Sequence, residues 1–194
     1  MLHILCSQVE MIAAAGYTPE THVVVTEDGY ILYIHRIVGD GPTIFCQHGL
    51  EDSSATWLLK GSDAGAPGFR LAEAGYDVWL GNYRGNKYSR EHTSLDPGSK
   101  DFWRFTWDEM AKYDLPAMLN FTLDHTGKEK IYYMGHSMGT TTYMAMNSMD
   151  QSWGDRVELA VLLAPVGYMT HMQSPIKYLA PFIGFIDVSS SYFL

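Results

Sequence analysis

Residues 131–144, IYYMGHSMGTTTYM, place a Gly-His-Ser-Met-Gly pentapeptide between two segments of different character. The apolar run before it predicts a buried strand, and the run after Ser137 predicts a helix. A serine between glycines at such a tight strand-to-helix turn is typical of a nucleophile elbow, in which the serine adopts a strained backbone conformation. The pattern therefore predicts that Ser137 is a nucleophile. An incidental turn containing glycine and serine is the alternative.

The rest of the chain alternates predicted strands with predicted helices. The strands are continuously apolar, which favours a mostly parallel sheet covered by helices on both faces. An Asp28-Gly29 pair between two β-rich runs predicts a hairpin over residues 21–38. The remaining strands are predicted at 43–49, 77–82, 131–136 and 157–166, and helices at 68–75, 107–125 and after Ser137. With no repeats or linkers, residues 1–194 are predicted to form one α/β unit.

Composition excludes several classes of function. The net charge of −9 argues against nucleic-acid binding, because phosphate backbones are bound by an excess of Lys and Arg. No run of 18 apolar residues predicts a membrane span, and the N-terminus does not resemble a signal peptide. Of the two cysteines, Cys6 and Cys46, the second lies in an apolar strand and is predicted to be a buried thiol. No cofactor and no metal site are predicted.

A second motif, Gln47-His48-Gly49-Leu50, lies at the end of the strand predicted at 43–49. Such a turn is typical of the loop that completes an oxyanion hole in α/β hydrolases. The predicted donors are the backbone N–H groups of Leu50 and Met138, aided by the N-terminus of the helix after Ser137. We interpret His48 as a structural residue of this loop. The charged residues Arg84 and Asp114 are likewise interpreted as ties between loops and helices.

Five stretches of the sequence resemble the acid lipase family of α/β hydrolases, which contains gastric and lysosomal acid lipases and many insect lipases. They occur in the family's order and cover most of residues 8–170. They read GYTPETHVVVTEDGYILYIHRI, QHGLEDSSATWLL, LAEAGYDVWLGNYRGNKYSREH, FWRFTWDEMAKYDLPA and YYMGHSMGTT. The resemblance implies hydrolysis of neutral lipid esters, triacylglycerols or cholesteryl esters, without a cofactor. Ser137 matches the family's nucleophile, and Leu50 and Met138 match its oxyanion positions.

The resemblance also implies a secreted or lysosomal, glycosylated protein acting at a lipid interface, and leaves the oligomeric state open. The N-terminus does not support secretion. A glycosylation sequon occurs at Asn120-Phe-Thr122, but it falls in a predicted helix and is interpreted as a chance occurrence.

The acid and the histidine that would complete a catalytic triad have no evident position in this sequence. In the family they lie after two further strands and a cap, whereas 57 residues follow Ser137 here and 28 follow Val166. One βαβ unit alone needs about 30 residues. We therefore expect a partial α/β-hydrolase domain that lacks the C-terminal strands and most of the cap, with residues 174–194 resembling the beginning of that cap.

This reading predicts a serine ester hydrolase of neutral lipids that is catalytically incomplete as a single chain. It also leaves the apolar strand 157–166 at an unprotected sheet edge. Two alternatives remain open. The first is a minimal esterase that uses His171, the only histidine after Ser137, as its base. The second is a non-catalytic module that binds lipid or a partner protein on a lipase scaffold.

Overall fold

The computed structural model describes residues 7–168, which form a seven-stranded mixed sheet with helices packed against it. The strands are β1 (Pro19–Val25), β2 (Tyr30–Ile37), β3 (Thr43–Gln47), β4 (Asp77–Gly81), β5 (Glu91–His92), β6 (Ile131–His136) and β7 (Val157–Leu163). The helices are α1 (Gln8–Ala14), α2 (Pro67–Glu73), α3 (Trp107–Glu109), α4 (Leu115–Thr126), α5 (Met138–Met149) and α6 (Trp153–Arg156), with a 3₁₀ turn at Ser54–Trp57.

The strands lie in the order β1-β2-β4-β3-β6-β7, and the two-residue β5 pairs with β2. The β1–β2 hairpin is antiparallel, as the Asp28-Gly29 pair predicts, and Gly29 has a φ of +96°. Strand β4 pairs antiparallel to β2 and parallel to β3, and β3, β6 and β7 are parallel neighbours. The predicted α/β-hydrolase fold with a mostly parallel sheet is therefore confirmed.

Two apolar cores lie on opposite faces of the sheet, because alternate side chains of a strand point to opposite faces. Phe45 and Trp79 pack with α4 and α5 on one face. Their neighbours Ile44 and Val78 pack with α1 and α2 on the other face. Burial on both faces explains why β3 and β4 read as continuous apolar runs. Cys46 is fully buried, as predicted, and burial raises the pKa of its thiol.

The helix predicted at 107–125 has a more complex form. A five-residue π-helical segment, Met110–Asp114, joins α3 to α4, and Pro116 lies in the first turn of α4. Proline removes one backbone donor and crowds the preceding turn, so a widened turn before it relieves that crowding. Gly127 ends α4 in the left-handed conformation. The short strand β5 in the loop at 85–100 was not predicted.

At the edge of the sheet, β7 leaves apolar side chains exposed, with Leu159 at 55% and Leu163 at 39% exposure. The expectation of an apolar edge strand is therefore confirmed within the described residues. His171 and residues 174–194 lie outside that range, as does Cys6. Every helix in residues 7–168 is too short or too polar to cross a bilayer.

Candidate active site

Ser137 occupies the tight turn between β6 and α5 and has φ 52° and ψ −117°. Few residues other than glycine adopt this backbone region, and the strain costs about 1–3 kcal/mol. Gly135 and Gly139 make the turn possible, since a methyl group on Gly135 would lie 2.9 Å from the carbonyl oxygen of Gly139. The turn thus has the strained serine and the closely packed glycines expected of a nucleophile elbow.

The turn after β3 lies directly against this elbow. A methyl group on Gly49 would lie 3.0 Å from Cβ of Ser137, and one on Gly139 would lie 2.7 Å from the carbonyl oxygen of Gln47. The next residue, Leu50, exposes 69% of its surface. Met138 is the first residue of α5, where backbone N–H groups have no partner within the helix. The two predicted oxyanion donors therefore lie on separate segments, Leu50 directly after the Gly49 turn and Met138 directly after Ser137.

His48 is a buried structural residue and is held in its neutral form. Its Nδ1 lies 2.8 Å from the carbonyl oxygen of Gly49, and its Nε2 accepts from the backbone N–H of Tyr83 at 3.2 Å. Asn86 also contacts Nε2 through its side-chain amide, at 3.2 Å. Burial lowers the pKa of His48 to about 4. Both ring nitrogens are used within the scaffold, so His48 links the β3 turn to the loop after β4.

Within residues 7–168, no histidine makes a hydrogen bond to the side chain of Ser137. His136 adjoins the serine, but its side chain is exposed on the strand side of the turn. His35 contacts Ser54 and is buried, and burial lowers its pKa to about 4. His125 packs against Phe121 and Trp79, on the sheet face that α4 covers. In the part of the chain that the structure describes, Ser137 thus has no histidine as a hydrogen-bond partner, and Leu50 and Met138 stay predicted donors.

A buried ion network holds the loop that follows β4. The guanidinium of Arg84 is 2.6 Å from a carboxylate oxygen of Asp114 and 2.6 Å from one of Asp28. Asp114 also accepts from the backbone N–H of Arg84 at 2.9 Å. Arg84 and Asp114 are almost fully buried, and the Arg84 guanidinium also stacks on Tyr30, 3.9 Å from the ring centroid. This geometry agrees with the structural interpretation of both residues.

The segment after β7 is tied to the elbow by contacts that the sequence did not reveal. The backbone N–H of Ser137 donates to the carbonyl of Leu163 at 3.0 Å. The Thr140 hydroxyl accepts from the backbone N–H of Val166, and the Thr141 hydroxyl donates to the Val166 carbonyl. Two adjacent threonines in the first turn of α5 are the only sequence signal for this link. The end of β7 therefore helps to fix the backbone of Ser137.

Comparison with known families agrees with this architecture. A family profile described as "Partial alpha/beta-hydrolase lipase region" matches residues 8–61, and one described as "alpha/beta hydrolase fold" matches residues 42–189. Among curated relatives, "Lipase lipl-1" of Caenorhabditis elegans is 42% identical over 94% of this chain and 49% of its own length. "Gastric triacylglycerol lipase" of Rattus norvegicus is 44% identical, over 87% of this chain and 45% of its own.

"Lysosomal acid lipase/cholesteryl ester hydrolase" of Homo sapiens is 42% identical over 88% of this chain. The chain spans about half the length of the curated relatives it matches. A solved structure of a Vigna radiata epoxide hydrolase mutant superposes with a TM-score of 0.55 at 16% identity, over 84% of this chain and 44% of that one. That likeness concerns the fold alone. The chain belongs to the α/β-hydrolase fold family, and its resemblance to the acid lipases within that family is confirmed.

Proposed function

We propose that this chain provides the nucleophile and the oxyanion hole of a serine hydrolase that cleaves neutral lipid esters. One observation carries the proposal. Ser137 adopts a strained backbone at a strand-to-helix turn, in contact with the Gly49 turn. Strained backbone conformations of this kind cluster at active sites, where they position a reacting group. The strand-turn-helix context of the motif is that of the nucleophile elbow.

In the proposed reaction, Oγ of Ser137 attacks the ester carbonyl and forms a tetrahedral intermediate. The N–H groups of Leu50 and Met138 donate hydrogen bonds to the oxyanion, a type of contact that typically accelerates such reactions about 10²–10³-fold per donor. Collapse expels the alcohol and leaves an acyl group on Ser137, which water then removes. Removal of the Ser137 proton and protonation of the leaving alcohol both need a general base, which we propose is neither within residues 7–168 nor His171.

The substrate class follows from the relatives. Their names specify triacylglycerol and cholesteryl ester as substrates, so we propose a neutral lipid ester for this chain. The exposed side chain of Leu50, next to the proposed oxyanion site, supports contact with an apolar acyl chain. Names that refer to the stomach and the lysosome support a secreted or lysosomal location, and the net charge of −9 supports a partner other than nucleic acid.

The experiment uses p-nitrophenyl esters, whose good leaving group reduces the need for a base. The 194-residue chain and its Ser137→Ala variant are incubated with long-chain and short-chain esters, and the acylated peptide is located by mass spectrometry. We expect slow acylation of the Ser137 peptide, approaching one equivalent, faster with the long chain, and absent in Ser137→Ala.

Three other results would overturn parts of the proposal. Many turnovers that are abolished by both Ser137→Ala and His171→Gln would show that the chain contains its own base, as in the minimal esterase. Equal modification of wild type and Ser137→Ala would remove Ser137 as the nucleophile. If neither protein is acylated while both bind lipid vesicles equally, the chain is a binding module.

A further inference from the structure

We propose that Glu20, His22 and His125 form a binding site for a divalent transition metal, with Zn²⁺ as the ion that fits best. A carboxylate oxygen of Glu20 and one ring nitrogen from each histidine lie within 4.8 Å of one another. Two imidazoles and one carboxylate are a known donor set for Zn²⁺, which water completes as the fourth ligand.

The fold brings these three side chains together from distant parts of the chain. Glu20 and His22 are two residues apart in β1, so their side chains leave the same face of the sheet. His125 lies in the last turn of α4, which packs on that face, and its ring centroid is 4.6 Å from that of His22. The sequence signal was limited to a Glu-x-His pair in a strand, since His125 is more than 100 residues away.

Neighbouring groups already orient two of the three ligands. The His22 ring stacks on the buried ring of Trp79 at 5.0 Å, which fixes the plane of the imidazole. Arg36 donates to Glu20 at 2.8 Å and to the buried carboxylate of Asp77 at 2.7 Å. Such outer contacts position ligands and raise metal affinity. The carboxylates of Glu20 and Asp77 carry two negative charges against the one positive charge of Arg36. These groups are therefore net negative, which favours binding of a dication.

The present contact between His22 Nε2 and Glu20 Oε2, 2.9 Å long, would open to admit the ion. Zn–N distances of about 2.0–2.1 Å require the donor atoms to approach to roughly 3.4 Å of one another. The exposed side chain of His125 can make this movement at little cost.

The position of the cluster indicates a stabilising role. Strand β1 is four strands from β6, which carries the elbow, or roughly 19 Å across the sheet. A metal bound here would join an outer strand to α4 without reaching Ser137. The expected consequence is that Zn²⁺ raises the thermal stability of the chain and leaves acylation of Ser137 unchanged.

The test uses the untagged 194-residue chain and Co²⁺, whose visible absorption reports tetrahedral coordination, followed by displacement with Zn²⁺. We expect the wild-type chain to bind one equivalent of Co²⁺. His125→Ala should weaken binding by at least about tenfold, and Glu20→Gln by a similar factor. Asp124→Asn removes an exposed carboxylate next to His125, outside the cluster, and should bind like wild type.

Zn²⁺ should also raise the melting temperature of wild type and of Asp124→Asn but not of His125→Ala. Because His125 is exposed, its variant should fold, and its unliganded melting temperature serves as the check. Equal affinity of wild type and His125→Ala for Co²⁺ would overturn the proposal. So would binding without the tetrahedral spectrum, since it would place the ion on other surface groups.

Discussion

The elbow and the loop after β4 lie side by side, yet they are held by different forces. The elbow depends on close approach of the chain at Gly135, Gly139 and Gly49, where an added methyl group would lie 2.9, 2.7 and 3.0 Å from a neighbouring atom. The loop is fixed by buried charges, with Arg84 between two carboxylates. Adding atoms at a closely packed glycine destabilises the elbow, whereas removing one partner of a buried ion pair destabilises the loop. The two supports should therefore respond to opposite kinds of substitution.

The largest effect is expected from the charged support. Asp114→Ala leaves the buried guanidinium of Arg84 without its fully buried carboxylate partner, which should cost about 3–5 kcal/mol of unfolding free energy. The exposed pair of Arg70 and Glu73 provides the control, and Glu73→Ala should cost at most about 1 kcal/mol. Urea unfolding followed by tryptophan fluorescence measures both. Similar small losses in the two variants would mean that the loop does not depend on buried charge.

His48 contacts both the Gly49 turn beside the elbow and the loop after β4, and its protonation should affect the stability of the chain. Its folded-state pKa of about 4 lies below the ordinary value of 6.5, so the unfolded chain binds more protons between these pH values. Stability should therefore fall as the pH decreases from 6.5 to 4, by about 3 kcal/mol from this residue. Burial also lowers the pKa of His35 to about 4, so His35 should contribute a further loss of stability over the same pH range.

The variant His48→Gln keeps a side-chain acceptor for the Tyr83 amide but cannot titrate in this range. Unfolding free energies at a series of pH values should show a smaller loss in acid for this variant than for wild type. Parallel pH profiles of the two proteins would contradict the assignment of a neutral, buried His48.

The glycine support is tested by adding one methyl group. In Gly139→Ala the new atom would lie 2.7 Å from the Gln47 carbonyl oxygen, so we expect destabilisation by about 1–3 kcal/mol. Gly154, in α6, has no atom within 4 Å of an added methyl group and no positive φ. Gly154→Ala should therefore stabilise the chain by about 0.4–1 kcal/mol. Equal effects at the two positions would remove the close contact as the reason for Gly139.

The smallest effect concerns the strain at Ser137 itself. Ser137→Gly should raise the free energy of unfolding by about 1 kcal/mol, because glycine adopts φ 52°, ψ −117° without the cost of a Cβ atom. Ser137→Ala retains that atom and should leave stability close to that of wild type. If glycine destabilises the chain relative to alanine, the serine conformation is not strained.

The same contrast explains how much the sequence could predict. The elbow is local, and the strand, the glycines and the helix within residues 131–149 together indicate its geometry. The β1–β2 hairpin was predictable for the same reason, through Asp28-Gly29. Arg84 and Asp114 are 30 residues apart, and no spacing rule joins them, so only a structural role for each could be inferred.

Other features depend on tertiary packing and left no local pattern. The π-helical segment at 110–114 reflects how α4 fits against the sheet around Pro116. The link from Thr140 and Thr141 to Val166 joins residues whose spacing carries no motif. The cluster of His22 and His125 needs the packing of α4 on β1. The role of His171 stays a prediction, because it lies outside the described residues.

The most direct test of the central claim is the pH dependence of the rate at which a fluorophosphonate modifies Ser137. A serine without a base reacts through its small ionised fraction, so the logarithm of the rate should rise steadily between about pH 6 and pH 9. A histidine base would instead give a plateau above a pKa near about 6.5. Our account predicts the steady rise, with no reaction in Ser137→Ala. A plateau that disappears in His171→Gln would contradict it and would place the base within this chain.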